Sequence, residues 1–233
     1  ELLMVILNDI LDLSKIDAGQ MDIAKAPCDV RVLLAEMEAF WGPTAAERGL
    51  TLSLDVASDV PPHVALDARR IRQVLFNLVG NALKFTREGV VSVTLGIEAP
   101  DRLVFAVSDT GVGIAEADMP FLFQMFSQAD ASDVRRFSGA GLGLAICQQL
   151  SALMGGEIWV DSVAGQGSTF TVSLPLELTD APEAADLAAQ AMGEDEAPAL
   201  SILAADDNPT NLLVLEQLLG AMGFQVRKAG GGR

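Results

Sequence analysis

Two asparagines and a lysine recur at helical spacing within the apolar stretch Arg72–Thr86. Asn77, Asn81 and Lys84 follow i, i+4 and i+7 spacing and fall within about 60° of one another on a helix. The opposite arc is apolar and carries Leu75, Leu78, Val79, Ala82 and Leu83. An amide oxygen suits Mg²⁺, and a lysine ammonium can bind a phosphate. For this helix alone, a solvated outer face is the competing interpretation.

Two glycine-rich loops favour a ligand-binding face over that alternative. In Ser108–Ile114, SDTGVGI, an acid and two glycines follow a predicted strand, so the backbone can approach a planar ligand closely. In Gly139–Leu144, GAGLGL, glycines precede an apolar helical pattern, Ala145–Leu153. The free N–H groups and the dipole of such a helix start favour an anion.

Composition narrows the class of protein. The 233-residue chain has a net charge of −17, and no lysine or arginine lies between Phe137 and Val226, which argues against a nucleic-acid surface. No apolar run reaches the roughly 18–20 residues that span a bilayer, and Glu1-Leu2-Leu3 does not resemble a signal peptide. Because the chain starts without Met, a membrane segment upstream stays open.

Cys28 and Cys147 show no metal spacing and are predicted to be buried thiols.

Hydrophobic periodicity predicts the elements that position these residues. Residues 1–18 form an amphipathic helix whose stripe Leu3, Ile6, Ile10 and Leu13 should meet a helix of a second chain, and Gly19 ends it. A second helix, Cys28–Ala46, should bend at Gly42-Pro43. Asp67 is expected to cap the asparagine-bearing helix, and His63, in a proline loop, to lie at the surface. The predicted strands are Leu50–Val56, Val90–Ile97, Arg102–Val107, Glu157–Val163 and Ser168–Leu174.

The C-terminal part has a different composition. Pro182–Pro198 is rich in alanine, acid and proline and reads as a linker. Beyond it, a strand at Leu200–Ala205, a helix from Pro209 to about Met222 and a strand at Phe224–Lys228 begin a βαβ unit that is too short to bury a core.

Taken together, the ordered motifs resemble the ATP-binding domain of sensor histidine kinases over Pro27–Pro175. NLVGNALKFT is similar to the N box, SDTGVGI to the G1 box, FLFQMF to the F box and GAGLGLAI to the G2 box, and GQGSTFTVSLP resembles the terminal motif. NDILDLSKIDAGQM resembles the second helix of the dimerisation and phosphotransfer hairpin. ILAADDNPTNLLVLEQLLGAMGFQV resembles the start of a receiver domain, which completes the layout of a hybrid kinase.

The resemblance implies an α/β fold, a two-layer sandwich of a mixed β-sheet with helices on one face. It is preceded by a dimerisation helix and followed by an incomplete flavodoxin-like receiver. The implied domains are residues 1–21 (hairpin helix), 22–179 (ATP-binding domain), 180–199 (linker) and 200–233 (receiver start).

The resemblance also assigns roles to individual residues, with ATP and Mg²⁺ as cofactors. Asp109 would accept a hydrogen bond from the adenine amino group, and Asn81 would hold Mg²⁺. Thr169 would support the adenine pocket. The remaining implied ATP-binding residues are Asn77 and Lys84 near the phosphates, Gly111 and Gly113 beside the base, Gly139, Gly141 and Gly143 in the lid hinge, and Leu142.

Three departures qualify the resemblance. Ala140 and Ser138 stand where the family usually has Thr and often has Gly, which should weaken nucleotide binding without abolishing it. No phosphoacceptor motif surrounds His63. The receiver ends before its acceptor aspartate, so its acidic metal pair, Asp206 and Asp207, is expected to be idle.

The function implied is transfer of the ATP γ-phosphate to a histidine that is absent from this chain. A same-fold ATPase or serine kinase is one alternative, although such enzymes place a Glu where Asn77 stands; a non-catalytic nucleotide-sensing scaffold is another. The expected partners are a second copy through the N-terminal helix, the missing hairpin histidine, and a receiver or response regulator, with no nucleic acid. The fragment is expected in the cytoplasm, and a membrane anchor in its parent stays open.

Overall fold

A five-stranded mixed sheet forms the centre of the first of two compact units, Glu1–Ala181 and Pro182–Arg233. The computed structural model describes residues 11–16, 18–98, 101–125 and 141–179, and the backbone of two strands at 201–206 and 225–230. The strands of the central sheet are β2 (Thr51–Val56), β4 (Val90–Glu98), β5 (Arg102–Asp109), β6 (Glu157–Val163) and β7 (Gly167–Pro175). Their order in the sheet is β2-β4-β5-β7-β6, in which β2 and β4 are parallel and the other pairs antiparallel.

Helices cover the apolar face of this sheet. They are α1 (Val30–Glu47), α2 (Ala68–Phe85) and α3 (Gly143–Leu153), and a short 3₁₀ turn lies at Met119–Phe121. Alternate residues of β5, namely Leu103, Phe105 and Val107, are buried on this face, as the period of two in a strand requires. The predicted two-layer α/β sandwich is confirmed.

The caps of α2 follow from side chains next to its ends. The Asp67 carboxylate accepts a hydrogen bond from the Arg70 amide at 3.0 Å, which confirms the predicted N-cap. Its second oxygen accepts from the Ala24 amide at 3.0 Å. The Thr86 hydroxyl donates to the Ala82 carbonyl at 2.7 Å at the other end.

The N-terminal helix is described from residue 11 onwards. Residues 11–16 are helical, and a left-handed Gly19 follows as the predicted stop, its amide bonded to the Ile16 carbonyl at 2.9 Å. Leu13, the last residue of the predicted stripe, and Ile16 pack against this chain's own core. The residues 1–10 that carry the rest of the stripe lie outside the described part.

Two expectations are wrong. The second helix does not begin at Cys28, which belongs to strand β1 (Ala26–Asp29); it runs from Val30 to Glu47 with Pro43 inside it. Burial of Ala45, which is 1% exposed, holds the last turn although Pro43 removes a helical hydrogen bond. His63 begins strand β3 (His63–Leu66), which pairs antiparallel with β1, so it is half-buried and does not lie in a loop. Both cysteines are buried as predicted.

The second unit contains β8 (Ser201–Asp206) and β9 (Gln225–Gly230), which form a parallel pair. Both strands were predicted, with boundaries that differ by one or two residues. The helix predicted between them and the linker before them lie outside the described residues. Within the described part of the chain, no helix has the length and apolarity to cross a bilayer.

Candidate functional site

Helix α2 supplies the polar residues that opened the sequence analysis. Asn77, Asn81 and Lys84 are all half-buried on a helix whose other side enters the core. The Asn81 amide nitrogen donates to the Asn77 amide oxygen at 3.1 Å, so the two side chains are ordered relative to each other. Because its nitrogen makes this bond, Asn81 retains its amide oxygen for a cation. These three side chains are therefore not a simple solvated face.

Helix α3 begins against Asn77. A Cβ atom added at Gly143 would collide with the Asn77 amide group, so only glycine allows this approach without movement of that side chain. Residue 142 precedes the helix without a side-chain cap, and the first-turn N–H groups of a helix have no intrahelical acceptor. The structure thus joins an amide pair to an anion-attracting helix start.

Lys84 lies in the last turn of α2. Its ammonium group is 4.9 Å from the centroid of the Phe85 ring, and burial lowers its pKa. A phosphate nearby would favour the charged form and oppose that shift. The half-buried position lets Lys84 act on an anion without full exposure to solvent.

Asp109 is the last residue of β5. It lies on the helix-covered face of the sheet, the same face as Phe105 and Val107 of this strand. Burial raises the pKa of its carboxyl group, and hydrogen bonds from the Gly111 and Ser168 amides act in the opposite direction. The Gly111 amide donates to Asp109 Oδ1 at 2.8 Å. The carboxylate is therefore ordered by backbone donors in a partly desolvated place.

The loop at residues 110–114, which we call the glycine loop, needs its glycines for contact with neighbouring backbone. A Cβ at Gly111 would lie 2.6 Å from the Phe85 carbonyl oxygen at the end of α2. A Cβ at Gly113, whose φ is +63°, would collide with the Val163 carbonyl. This packing connects the end of α2, the glycine loop and β6, so that Asp109 and Lys84 belong to connected elements.

The structure also places Thr169 and Leu142, two of the predicted ATP-binding residues. Thr169 pairs with Ser108, one position from Asp109 in the register, and therefore points to the opposite face of the sheet. Its hydroxyl lies 2.9 Å from the Ser108 hydroxyl. The Leu142 side chain is fully buried in the core, so only its backbone is available to a ligand.

Ser168 is the residue that the sequence reasoning missed. It pairs directly with Asp109 across β5 and β7 and supplies an amide donor to that carboxyl group. The strand alternation in the sequence groups Ser168, Phe170 and Val172 on one face. The register is needed to show that this is the face of Asp109.

The remaining predicted residues can be placed only in part. Gly141 has a left-handed φ of +67°, as a hinge glycine can have, and Gly139, Ala140 and Ser138 lie outside the described residues. Asp206 is the last residue of β8, and Asp207 also lies outside. Among the described residues, no group of three or more His, Cys, Asp or Glu could hold a metal ion.

Comparison with known proteins identifies the family to which this fold belongs. Residues 66–178 match the family described as "Histidine kinase-, DNA gyrase B-, and HSP90-like ATPase". The chain is 44% identical over 178 residues to the sensor protein GacS of Pseudomonas syringae pv. syringae, covering 75% of this chain and 20% of that protein. It is 35% identical over 224 residues to the aerobic respiration control sensor protein ArcB of Escherichia coli K12, covering 95% of this chain and 28% of ArcB.

A solved structure agrees with these relatives. Full-length ShkA, crystallised in complex with AMPPNP, superposes with a TM-score of 0.70 at 32% identity, covering 97% of this chain and 45% of that one. The chain spans 20% to 28% of the length of the curated relatives named here. The described fold, the site and these similarities agree that the chain belongs to the histidine kinases and that residues 66–178 carry their ATP-binding catalytic domain.

Proposed function

We propose that the chain binds ATP with its base at Asp109 and its phosphates at the start of α3. The half-buried carboxylate of Asp109 would accept a hydrogen bond from the adenine amino group. Because Gly111 and Gly113 have no side chains, only main-chain atoms would lie beside the base there. The observation that carries the proposal is the approach of α3 to Asn77, because it brings a helix start and a polar helix face together.

Mg²⁺ fits the same place because amide oxygens are hard donors. Asn81 would provide an oxygen ligand, and Asn77 would hold the Asn81 amide in orientation through their 3.1 Å hydrogen bond. Lys84 would contact a phosphate as a point charge. Gly139 and Gly141 would act as lid hinges, as their positions in the motif GAGLGLAI indicate.

The reaction that we propose is donation of the γ-phosphate of ATP to a histidine outside this chain. In phosphoryl transfer the protein mainly positions the groups and neutralises charge, and bound Mg²⁺ would supply part of that neutralisation. The side chains at this site are amides and a lysine, which suit that task. An ATPase or serine kinase would need a base to activate water or a hydroxyl group, and the Asn77 amide cannot take up a proton in that role.

The proposal extends to partners and location. A second copy through the N-terminal helix, a hairpin histidine, and a receiver or response regulator would complete the reaction. We expect these residues to act in the cytoplasm, where ATP is available.

Phosphotransfer in trans tests the function. The chain is incubated with radiolabelled ATP and Mg²⁺, with and without a separate hairpin protein that carries the acceptor histidine. We expect acid-labile label on the hairpin only when this chain is present, and its loss in Asn81→Asp, because the changed ligand upsets the metal geometry. ATP binding without any transfer to the hairpin would favour the nucleotide-sensing scaffold instead.

A further inference from the structure

Three polar residues form a row across the sheet at the proposed adenine pocket. Asp109 on β5 pairs with Ser168 on β7, and Ser168 pairs with Ser162 on β6. Because directly opposed residues of neighbouring strands share a face, all three side chains lie on the helix-covered face. Ser162 has no role in the site as described so far.

The Ser162 hydroxyl uses its full hydrogen-bonding capacity. It accepts from the Ile114 amide at 2.8 Å, donates to the Gly167 carbonyl at 2.8 Å and lies 3.0 Å from the Ser168 hydroxyl. A hydroxyl has one proton and two acceptor sites. Since the proton of Ser162 is directed to Gly167, the Ser168 hydroxyl is the donor in the bond between the two serines.

These bonds attach the far end of the glycine loop to the β6–β7 hairpin. The amide of Gly165 donates to the Val112 carbonyl at 2.7 Å, and Gly113 lies against the Val163 carbonyl. The near end of the loop is held by Asp109 through the Gly111 amide. Ser162 is thus the side chain that holds Ile114, where the loop leaves the pocket.

The direction of the Ser168 proton has a chemical consequence. Because that proton goes to Ser162, the Ser168 oxygen offers only lone pairs on the face that it shares with Asp109. The carboxylate beside it also accepts hydrogen bonds when it is ionised. A pocket side that presents only acceptors, from Ser168 and Asp109, suits a purine with an amino group at C6. It disfavours a purine with a carbonyl at C6, because two acceptors would then face each other.

We propose that Ser162 is a positioning residue for base selection: it fixes the glycine loop at Ile114 and orients the Ser168 hydroxyl so that the pocket accepts a 6-amino purine. The inference rests on the proposed placement of adenine at Asp109.

The test compares ATP and GTP binding to the full chain in the presence of Mg²⁺. Ser162→Ala removes the hydroxyl, and Ser162→Thr keeps it. Ser173→Ala is the matched control, because the Ser173 hydroxyl is also buried on β7 and accepts from Arg102 Nε at 2.9 Å, but belongs to the opposite end and face of the sheet. Dissociation constants are measured by titration calorimetry.

We expect Ser162→Ala to weaken ATP binding about tenfold and GTP binding much less, so that the ATP preference falls. Ser162→Thr should retain the preference of the wild type, and Ser173→Ala should not alter it. Hydrogen exchange at the Ile114 amide should accelerate in Ser162→Ala only. An unchanged ratio in Ser162→Ala, or an equal loss in Ser162→Thr, would overturn the inference.

Two further results complete the design. If Ser162→Ala does not fold, Ser168→Ala takes its place. The preference for ATP over GTP should fall in Ser168→Ala as well. A preference equal to that of the wild type would overturn the inference. A wild type without preference for ATP over GTP contradicts the placement of adenine at Asp109. A wild type with that preference and an unchanged ratio in the variants contradicts the role of Ser162 alone.

Discussion

Asp109 is the residue at which two opposing influences on one carboxyl group meet. Burial raises its pKa, and amide donors from Gly111 and Ser168 stabilise its ionised form. A carboxylate held by two donors in a partly desolvated place offers a fixed acceptor, which is what recognition of an amino group requires.

Replacing Asp109 by Asn should weaken ATP binding by roughly 1.5–3 kcal/mol, because a charged acceptor is lost. Titration of the variant with a fluorescent ATP analogue measures this. Asp161→Asn is the control, since Asp161 is exposed on β6 and pairs with Thr169. Equal affinity in the wild type and Asp109→Asn would remove Asp109 from the adenine pocket.

The raised pKa of Asp109 predicts opposite pH trends for stability and for binding. The folded-state pKa lies above the ordinary value of 3.8, so the ionised form costs stability that returns as the pH falls through the folded pKa towards 3.8. ATP affinity should instead decline in the same interval, because the neutral acid is a weaker acceptor.

Urea unfolding and nucleotide titration between about pH 3.5 and 7 measure the two trends. Both trends should be absent from Asp109→Asn and should therefore remain in the difference between the wild type and this variant. Parallel trends for stability and affinity would show that another group controls the pH response.

Among the elements, α2 connects the N-terminal segment with the nucleotide site. Arg70, Gln73, Asn77, Asn81 and Lys84 follow spacings of three and four residues along it and so share one face. At the beginning of this face, Gln73 Nε2 donates to Asp12 Oδ2 at 2.8 Å, and Arg70 Nη1 lies 3.8 Å from the same oxygen. At its end are the amides and the lysine proposed for Mg²⁺ and phosphate.

Asp12→Ala should therefore lower the free energy of unfolding by about 1–3 kcal/mol, because it leaves the part-buried amide nitrogen of Gln73 without its acceptor and removes the carboxylate that faces Arg70. Hydrogen exchange at residues 11–16 should accelerate. Glu36→Ala is the matched control: its bond to Arg72 is short, at 2.6 Å, but both side chains are about half exposed. Its loss should cost at most about 1 kcal/mol. A larger cost in Glu36→Ala than in Asp12→Ala would contradict this view.

The glycine loop needs glycine both for its positive φ and for its close contact with neighbouring backbone. Comparison of Gly113→Ala with Gly49→Ala separates these two requirements. Gly113 and Gly49 both have positive φ, at +63° and +71°, so alanine at either position costs about 1–2 kcal/mol. Only at Gly113 would the new Cβ collide with a neighbouring carbonyl, because Gly49 has nothing within 4 Å. We expect ATP affinity to fall in Gly113→Ala and to remain in Gly49→Ala, as measured by calorimetry. Equal affinities in the two variants would mean that the loop tolerates the shift.

At the scale of the whole molecule, the single histidine of the chain decides whether it can label itself. His63 lies on β3, paired with Asp29 of β1, and not on a helix of a dimerisation bundle. The chain alone should therefore bind ATP without autophosphorylation. Incubation with radiolabelled ATP, in the wild type and in His63→Ala, tests this. Acid-labile label that appears on the wild type and is lost in His63→Ala would contradict the prediction.

The sequence by itself determined the elements that have strong local signals. The apolar arc of α2, the Asp67 cap, and the alternation in β4, β5 and β7 predicted helices and strands close to their observed bounds. The ordered motifs identified the fold and the ATP-binding class. These features depend on local periodicity and capping, which neighbouring residues specify without knowledge of the rest of the chain.

Only the tertiary structure decided which residues meet. Strand register places Ser168, and not Thr169, beside Asp109, because a shift of one residue moves a side chain to the other face of the sheet. Packing against the core carries α1 through Pro43, buries Leu142 and places Leu13 on this chain's own core. Pairing with β1 makes His63 part of a strand. Each of these outcomes depends on partners distant in sequence, and the local pattern contains no information about them.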